Sequence, residues 1–213
     1  MGNWYDPKSD GEKLTAANFY NPLIQAILNK IGIDNLNPIA VRMQEDALVY
    51  YDDPYMVCRG KVLVAAPPLG HQHCSWVTLA DYAFGTYEWK GKILGCDHGE
   101  EYPGGFEHHH GWPLEGLITF IYVEGVYKSW TSWAGTQTLT TLAGQDWTVE
   151  RTFKVVWAAD SVKFYVDGVL VATHTTNVPQ EAMNFFSEAV AYRGTATLEA
   201  AAYFRRNSLV QVA

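Results

Sequence analysis

The sequence predicts a mainly β fold, a sandwich of two sheets, and three observations predict it. From about Leu48 onward, short runs rich in β-branched and aromatic residues follow one another between turn signals, with almost no helical periodicity among them. Aromatic residues make up 14% of the chain, with 8 Trp, 13 Tyr and 9 Phe, side chains that pack well on a pleated surface. Hydrophobic residues are 48% and charged residues 18% of the 213, which supplies a core and excludes a disordered chain, a coiled coil or a collagen-like repeat.

Residues 1–45 read as a polar arm followed by one helix. Thr15 suits its N-cap, and Leu14, Phe19, Leu23, Ile24, Ile27 and Leu28 recur at helical spacing before Gly32 stops the pattern. Pro22 either separates a first turn or stands at the first position of a helix beginning at Asn21. Asp34 to Pro38 is a turn-rich linker. Residues 46–213 then carry the sandwich. Its predicted strands are Leu48–Tyr51, Tyr55–Ala65, Ser75–Ala80, Gly85–Ile93, Gly116–Val123, Thr136–Leu142, Thr148–Trp157, Ser161–Val166, Val169–Thr175, Asn184–Val190 and Ala196–Arg205. Turn signals separate them, among them Asp52-Asp53-Pro54, Pro67-Pro68, Pro103-Gly104-Gly105 and Ala143-Gly144. Asp167-Gly168 between two β-branched runs is a two-residue hairpin signal, since both central positions of that turn need φ > 0.

The formal net charge is −8, so a nucleic-acid partner and an anionic membrane surface are not expected. The first thirteen residues hold no apolar core for a secretory signal. Gly2 suggests myristoylation, but Asp6 stands where Ser or Thr would be needed. No apolar run reaches the roughly 18 residues of a membrane helix, so no membrane insertion is expected. Cys58, Cys74 and Cys96 are too few and too scattered for a disulfide framework, and an odd count favours free buried thiols, although one pair could form.

The stretch Thr152–Asn184 contains Trp157, then Tyr165-Val166-Asp167-Gly168, then Pro179 and Met183-Asn184. It resembles the concanavalin A-like lectin/glucanase sandwich, most closely the family-16 glycoside hydrolases, in which a strand ending in Trp leads into a Tyr-Val-Asp-Gly hairpin and on to a Pro and a Met-Asn strand. Gly85 to Ile93 looks like an early strand of the same family, and the resemblance covers roughly residues 50–205. It implies a jelly-roll sandwich and, by family habit, a calcium ion; no Asp/Asn-rich loop declares a calcium site. Those enzymes hydrolyse β-glucans with carboxylates in a Glu-x-Asp-x-Glu strand. Period-2 alternation puts all three on one face, and a retaining mechanism needs two of them about 5–5.5 Å apart. On the corresponding strand only Glu115 bears a carboxylate, and Leu117 and Thr119 occupy the other two positions. An alignment centred on Glu124 also yields one acid. Glu100, Glu101 and Glu107 are acids of undiagnostic spacing. The fold is therefore expected without the hydrolysis, with Glu115 a vestige.

Asp10 to Ile27, with Leu14-Thr15-Ala16-Ala17-Asn18, resembles the opening of phage virion proteins such as tail-fibre and capsid-attached proteins. One short helix cannot bury its apolar face alone. It packs either on its own sandwich or on another subunit. The resemblance implies a non-enzymatic virion component, a capsid decoration or tail-fibre protein, at the virion surface. Its arm would bind other virion subunits, as a homo-oligomer, and its sandwich would face outward toward cell-surface glycans. A carbohydrate-active enzyme of the same fold (β-glucan hydrolase or lyase) and a free-standing lectin-like module are the alternatives.

Two further groups of residues bear on binding. Six of seven His lie between residues 71 and 110, and His71, His73, His98 and His108 are weak metal candidates near Cys74 and Cys96, without a known zinc spacing. Trp130 and Trp133, with Trp112 and Tyr127, are the candidate carbohydrate-binding aromatics, because sugars lay their C–H faces on such rings. No phosphate loop, Gly-x-Ser-x-Gly elbow or His-Glu-x-x-His is present.

Overall fold

The computed structural model describes residues 39–43, 48–62, 71–96, 99–108, 116–192 and 198–212. The predicted arm and helix, including Leu14, Phe19, Leu23, Ile24, Ile27 and Leu28, lie outside them. The described residues form an all-β sandwich without helix. Its strands are β1 (Ile39–Met43), β2 (Leu48–Asp52), β3 (Tyr55–Val62), β4 (His71–Tyr82), β5 (Gly85–Ile93), β6 (Gly99–Glu107), β7 (Gly116–Val123), β8 (Val126–Trp133), β9 (Thr136–Thr141), β10 (Arg151–Trp157), β11 (Val162–Val166), β12 (Val169–His174), β13 (Met183–Tyr192), β14 (Leu198–Arg205) and β15 (Val210–Val212). One antiparallel sheet runs β1-β4-β13-β6-β7-β8-β9. The other runs β12-β11-β10-β5-β14-β3-β2, with β15 pairing on β5. The first described strand, β1, pairs with β4 at the edge of the first sheet.

Alternation sends every second side chain into the space between the sheets. Trp89 of β5 lies at the centre of that core. It stacks on Phe153 and meets Phe106, Phe120 and Phe185 edge-on, with ring centroids 5.2–6.1 Å apart. Trp157 is a core anchor as well, and its Nε1 donates to the Pro179 carbonyl at 2.9 Å.

Four strands, β1, β6, β8 and β15, go beyond the sequence expectation, and two of them bear on the site. Gly99–Glu107 contains Pro103-Gly104-Gly105 and reads as a turn, yet it is a central strand between β13 and β7. Pro103 falls where the register with β7 shifts, so no regular ladder bond is lost. The glycines are needed for space: a Cβ at Gly104 would lie 2.4 Å from the Trp89 Nε1, and one at Gly105 would lie 2.5 Å from the Thr119 Oγ1. Val126–Trp133, which carries three of the candidate aromatics and is not among the expected strands, is likewise a strand. It is framed by two tight turns, Glu124-Gly125 and Ala134-Gly135, in which all four residues have φ between 49° and 82°. The Asp167-Gly168 hairpin has the same left-handed pair, as its sequence predicts.

Candidate functional site

The strand that the sequence resemblance sets against the family's acidic strand is β7, and its two faces are distinct. Ile118, Phe120 and Tyr122 enter the core between the sheets. Leu117, Ile121 and Val123 turn to the outer face, where they pack with Val77, Tyr102, Phe186 and Trp130. Thr119, between Leu117 and Ile121 in the alternation, shares that outer face. Its hydroxyl is turned onto backbone, with the Gly104 and Phe120 carbonyls at 3.2 and 3.0 Å. Leu117, Thr119 and Ile121 have no carboxylate to protonate a leaving oxygen or stabilise a developing cation. Glu115 lies outside the described residues, and Glu124 sits in the β7–β8 turn at φ 51°, exposed, rather than on a strand face.

Register places the neighbours of these residues. One row crosses six strands as Val77, Phe186, Gly105, Thr119, Trp130 and Leu139. On one side of it, Asn184, Glu107, Leu117, Ser132 and Gln137 form a polar row. On the other side, Ser75 and Glu188 are in register with Tyr102, and Ile121 with Lys128 and Thr141. Val77, Tyr102, Ile121 and Phe186 are buried. The accessible part of the face is the β7–β9 end, with half-buried Trp130 and Leu117 and exposed Leu139, Gln137 and Thr141. Three polar atoms of this face, the Trp130 Nε1 and the Ser75 and Ser132 hydroxyls, are buried without a hydrogen-bond partner. Such groups cost free energy until something bonds to them.

The expected aromatic platform is split by the same geometry. Trp130 and Trp133 are three residues apart on one strand, so they point to opposite faces. Of the two, Trp130 is the one on the outer face. Trp133 lies at the sheet end with its ring 6.4 Å from that of His108. Tyr127 packs toward the core, its ring 4.8 Å from Tyr122 and 4.7 Å from Trp147. Trp112 and His98 lie outside the described residues, and His71 and His73 fall on β4 with their side chains outside the description. His108 places Nε2 3.2 Å from a Glu181 carboxylate oxygen. Among the described residues no three His, Cys, Asp or Glu come together as a metal site would require.

The acids separate too. Glu101 points inward and is fully buried. Its Oε1 accepts from the Ala201 N–H at 2.7 Å, and its Oε2 accepts from the Gly95 and Cys96 N–H groups at 2.7 and 3.0 Å. Burial raises its pKa against these bonds. Glu101 therefore ties the sheets together and is not available to a ligand on the outer face. Glu100 and Glu107 face outward at opposite ends of β6, opposite Val123 and Leu117. Six residues of strand put them about 20 Å apart, too far for joint catalysis. Glu100 accepts the Tyr102 hydroxyl at 2.6 Å, and Glu188, in register with Tyr102, is its diagonal neighbour on β13.

No protein-family model matches the chain, and no curated protein matches it in sequence. Solved structures do match. The catalytic domain of an endo-1,3-β-glucanase (laminarinase) from Thermotoga petrophila RKU-1 is 15% identical with a TM-score of 0.57, over 76% of this chain and 78% of that one. A β-glucanase from Bacillus licheniformis is 14% identical with a TM-score of 0.54, over 82% and 96%. A non-specific endo-β-1,3(4)-glucanase of glycoside hydrolase family 16 is 15% identical with a TM-score of 0.57, over 84% and 86%. At such identities the likeness speaks for architecture: the chain has the concanavalin A-like sandwich fold that the family-16 glycoside hydrolases have.

Proposed function

We propose that the chain is a non-hydrolytic carbohydrate-binding sandwich of lectin type, which holds neutral glycans on the outer face of the β1-to-β9 sheet. The observation that carries this reading is the outer face of β7: Leu117 and Thr119 stand where the family resemblance calls for two acids, beside a half-buried Trp130. A ring of that size with Gln137, Thr141 and Lys128 around it offers an apolar plate with a polar rim, the pairing a sugar needs. Titration with soluble β-glucans by calorimetry tests the reading. Saturable binding is expected, and Trp130→Ala should weaken it roughly 10- to 100-fold, the equivalent of losing about 1.5–3 kcal/mol of aromatic burial. Trp133→Ala, on the other face, should leave affinity within about twofold. Equal losses from both variants, or no binding by the wild type, would count against the platform.

A displaced hydrolytic site is the second reading, and one observation favours it. Glu100 and Glu188 face outward as diagonal neighbours on adjacent strands, a relation that sets Cα atoms about 7–8 Å apart. From that spacing the two flexible side chains can set their carboxyls at the roughly 6.5–9.5 Å used by inverting glycosidases. Glucan turnover lost in Glu188→Gln would establish it. The virion attachment reading rests on residues 10–27, which lie outside the described residues.

A further inference from the structure

We propose that Cys58 and Cys74 are a disulfide site: when the chain folds with a small-molecule disulfide as oxidant, they join and tie β3 of one sheet to β4 of the other. Neither residue is in a disulfide, and both are fully buried and turned into the core from facing sheets. The Cys58 Sγ reaches across to the facing sheet, 3.3 Å from the Ser187 carbonyl of β13, and makes hydrogen-bonding contact with Cys74. Small residues let the sheets approach here. Ala202 stands opposite Cys58 and Ala189 opposite Cys74 within their ladders. A Cβ built on Gly99 of one sheet would come 3.3 Å from the Ala200 Cβ of the other. The Glu101 carboxylate also spans this corner to the Ala201 N–H. An inter-sheet bridge needs such an approach, because disulfides hold Cα atoms about 4.4–6.8 Å apart while stacked sheets are normally about 10 Å apart.

The step balances. The Cys58 and Cys74 S–H bonds break, one S–S bond forms, and two electrons and two protons pass to the oxidant, whose own disulfide is cleaved to two thiols. Burial pushes the Cys58 thiol well above its usual range, so little thiolate exists once the core has closed. The bond therefore forms as the chain folds, and the finished core shields it. Cys96 is the third cysteine and stays outside the bridge.

Unfolded, reduced full-length protein refolded in oxidised and reduced glutathione tests this, against a sample refolded with excess reductant. The oxidised product should lose two hydrogens in intact mass and titrate one thiol in denaturant where the reduced chain titrates three. Its peptide map should join the Cys58 and Cys74 segments, and its urea midpoint should be the higher of the two. Cys96→Ser should leave that linkage unchanged. Three free thiols after oxidative refolding, a bridge that includes Cys96, or a linked product lacking the native tryptophan fluorescence would overturn the proposal.

Discussion

Acidification should strike the sandwich at one buried histidine. His174, on β12, is 1% exposed. Three hydroxyls hold its ring: Thr131 Oγ1 at 2.9 Å from Nδ1, with Thr140 Oγ1 at 3.0 Å and Ser129 Oγ at 3.2 Å from Nε2. Phe164 packs on it at 4.9 Å. These contacts are neutral, so burial acts unopposed and lowers the pKa from 6.5 to about 4. The unfolded chain then binds the proton more tightly than the folded one. Stability is complete above pH 6.5, is lost as pH falls toward 4, and levels off below it. Linkage puts the loss between pH 7 and 5 at about 2 kcal/mol and the plateau at about 3 kcal/mol. Glu101, whose pKa burial raises, acts in the opposite sense: its contribution is complete below 4.5 and is lost as pH rises through its folded value. A comparison with His174→Gln, which has no titrating ring, cancels that term. Urea unfolding followed by tryptophan fluorescence should show the wild type losing about 2 kcal/mol more than the variant between pH 7 and 5. Parallel losses would refute the reasoning, as would an NMR titration of the His174 ring centred near 6.5.

Other perturbations have equally definite signs. Glu101→Gln sets an amide N–H₂ against backbone N–H donors and should cost about 1–3 kcal/mol in urea unfolding at pH 7. Gly105→Ala drives a methyl to 2.5 Å from the Thr119 hydroxyl and 2.6 Å from the Ile118 carbonyl, so a loss of about 1–3 kcal/mol is expected. Gly144→Ala, at φ +69° with no atom within 4 Å of the new carbon, should cost about 1–2 kcal/mol through backbone strain alone.

The sandwich was legible wherever one local rule governed a segment. Phe153, Val155 and Trp157 alternate with Thr152, Lys154 and Val156, and the strand follows that period. Asp167-Gly168 announces its turn because Asp tolerates, and Gly favours, positive φ. The same turn at Glu124-Gly125 and Ala134-Gly135 is faint in the sequence because Glu and Ala are weak signals for that conformation. With those turns went β8, and with β8 went the parity that separates Trp130 from Trp133. Gly99–Glu107 was illegible for a different reason. Its Gly104 and Gly105 answer to Trp89 and Thr119, neighbours from other strands that local sequence does not reveal. The inward turn of Glu101 and the hydroxyl cage of His174 are long-range arrangements of the same kind. The missing acids of β7 could be read directly, since alternation alone fixes which of its side chains share a face.

The central claim is that this face holds sugar without cutting it. Prolonged incubation of the protein with soluble mixed-linkage and β-1,3-glucans, assayed for new reducing ends, tests that claim most directly. The account predicts none above a protein-free control at concentrations where binding is saturated. Steady release of oligosaccharide that Glu100→Gln or Glu188→Gln abolishes would contradict it.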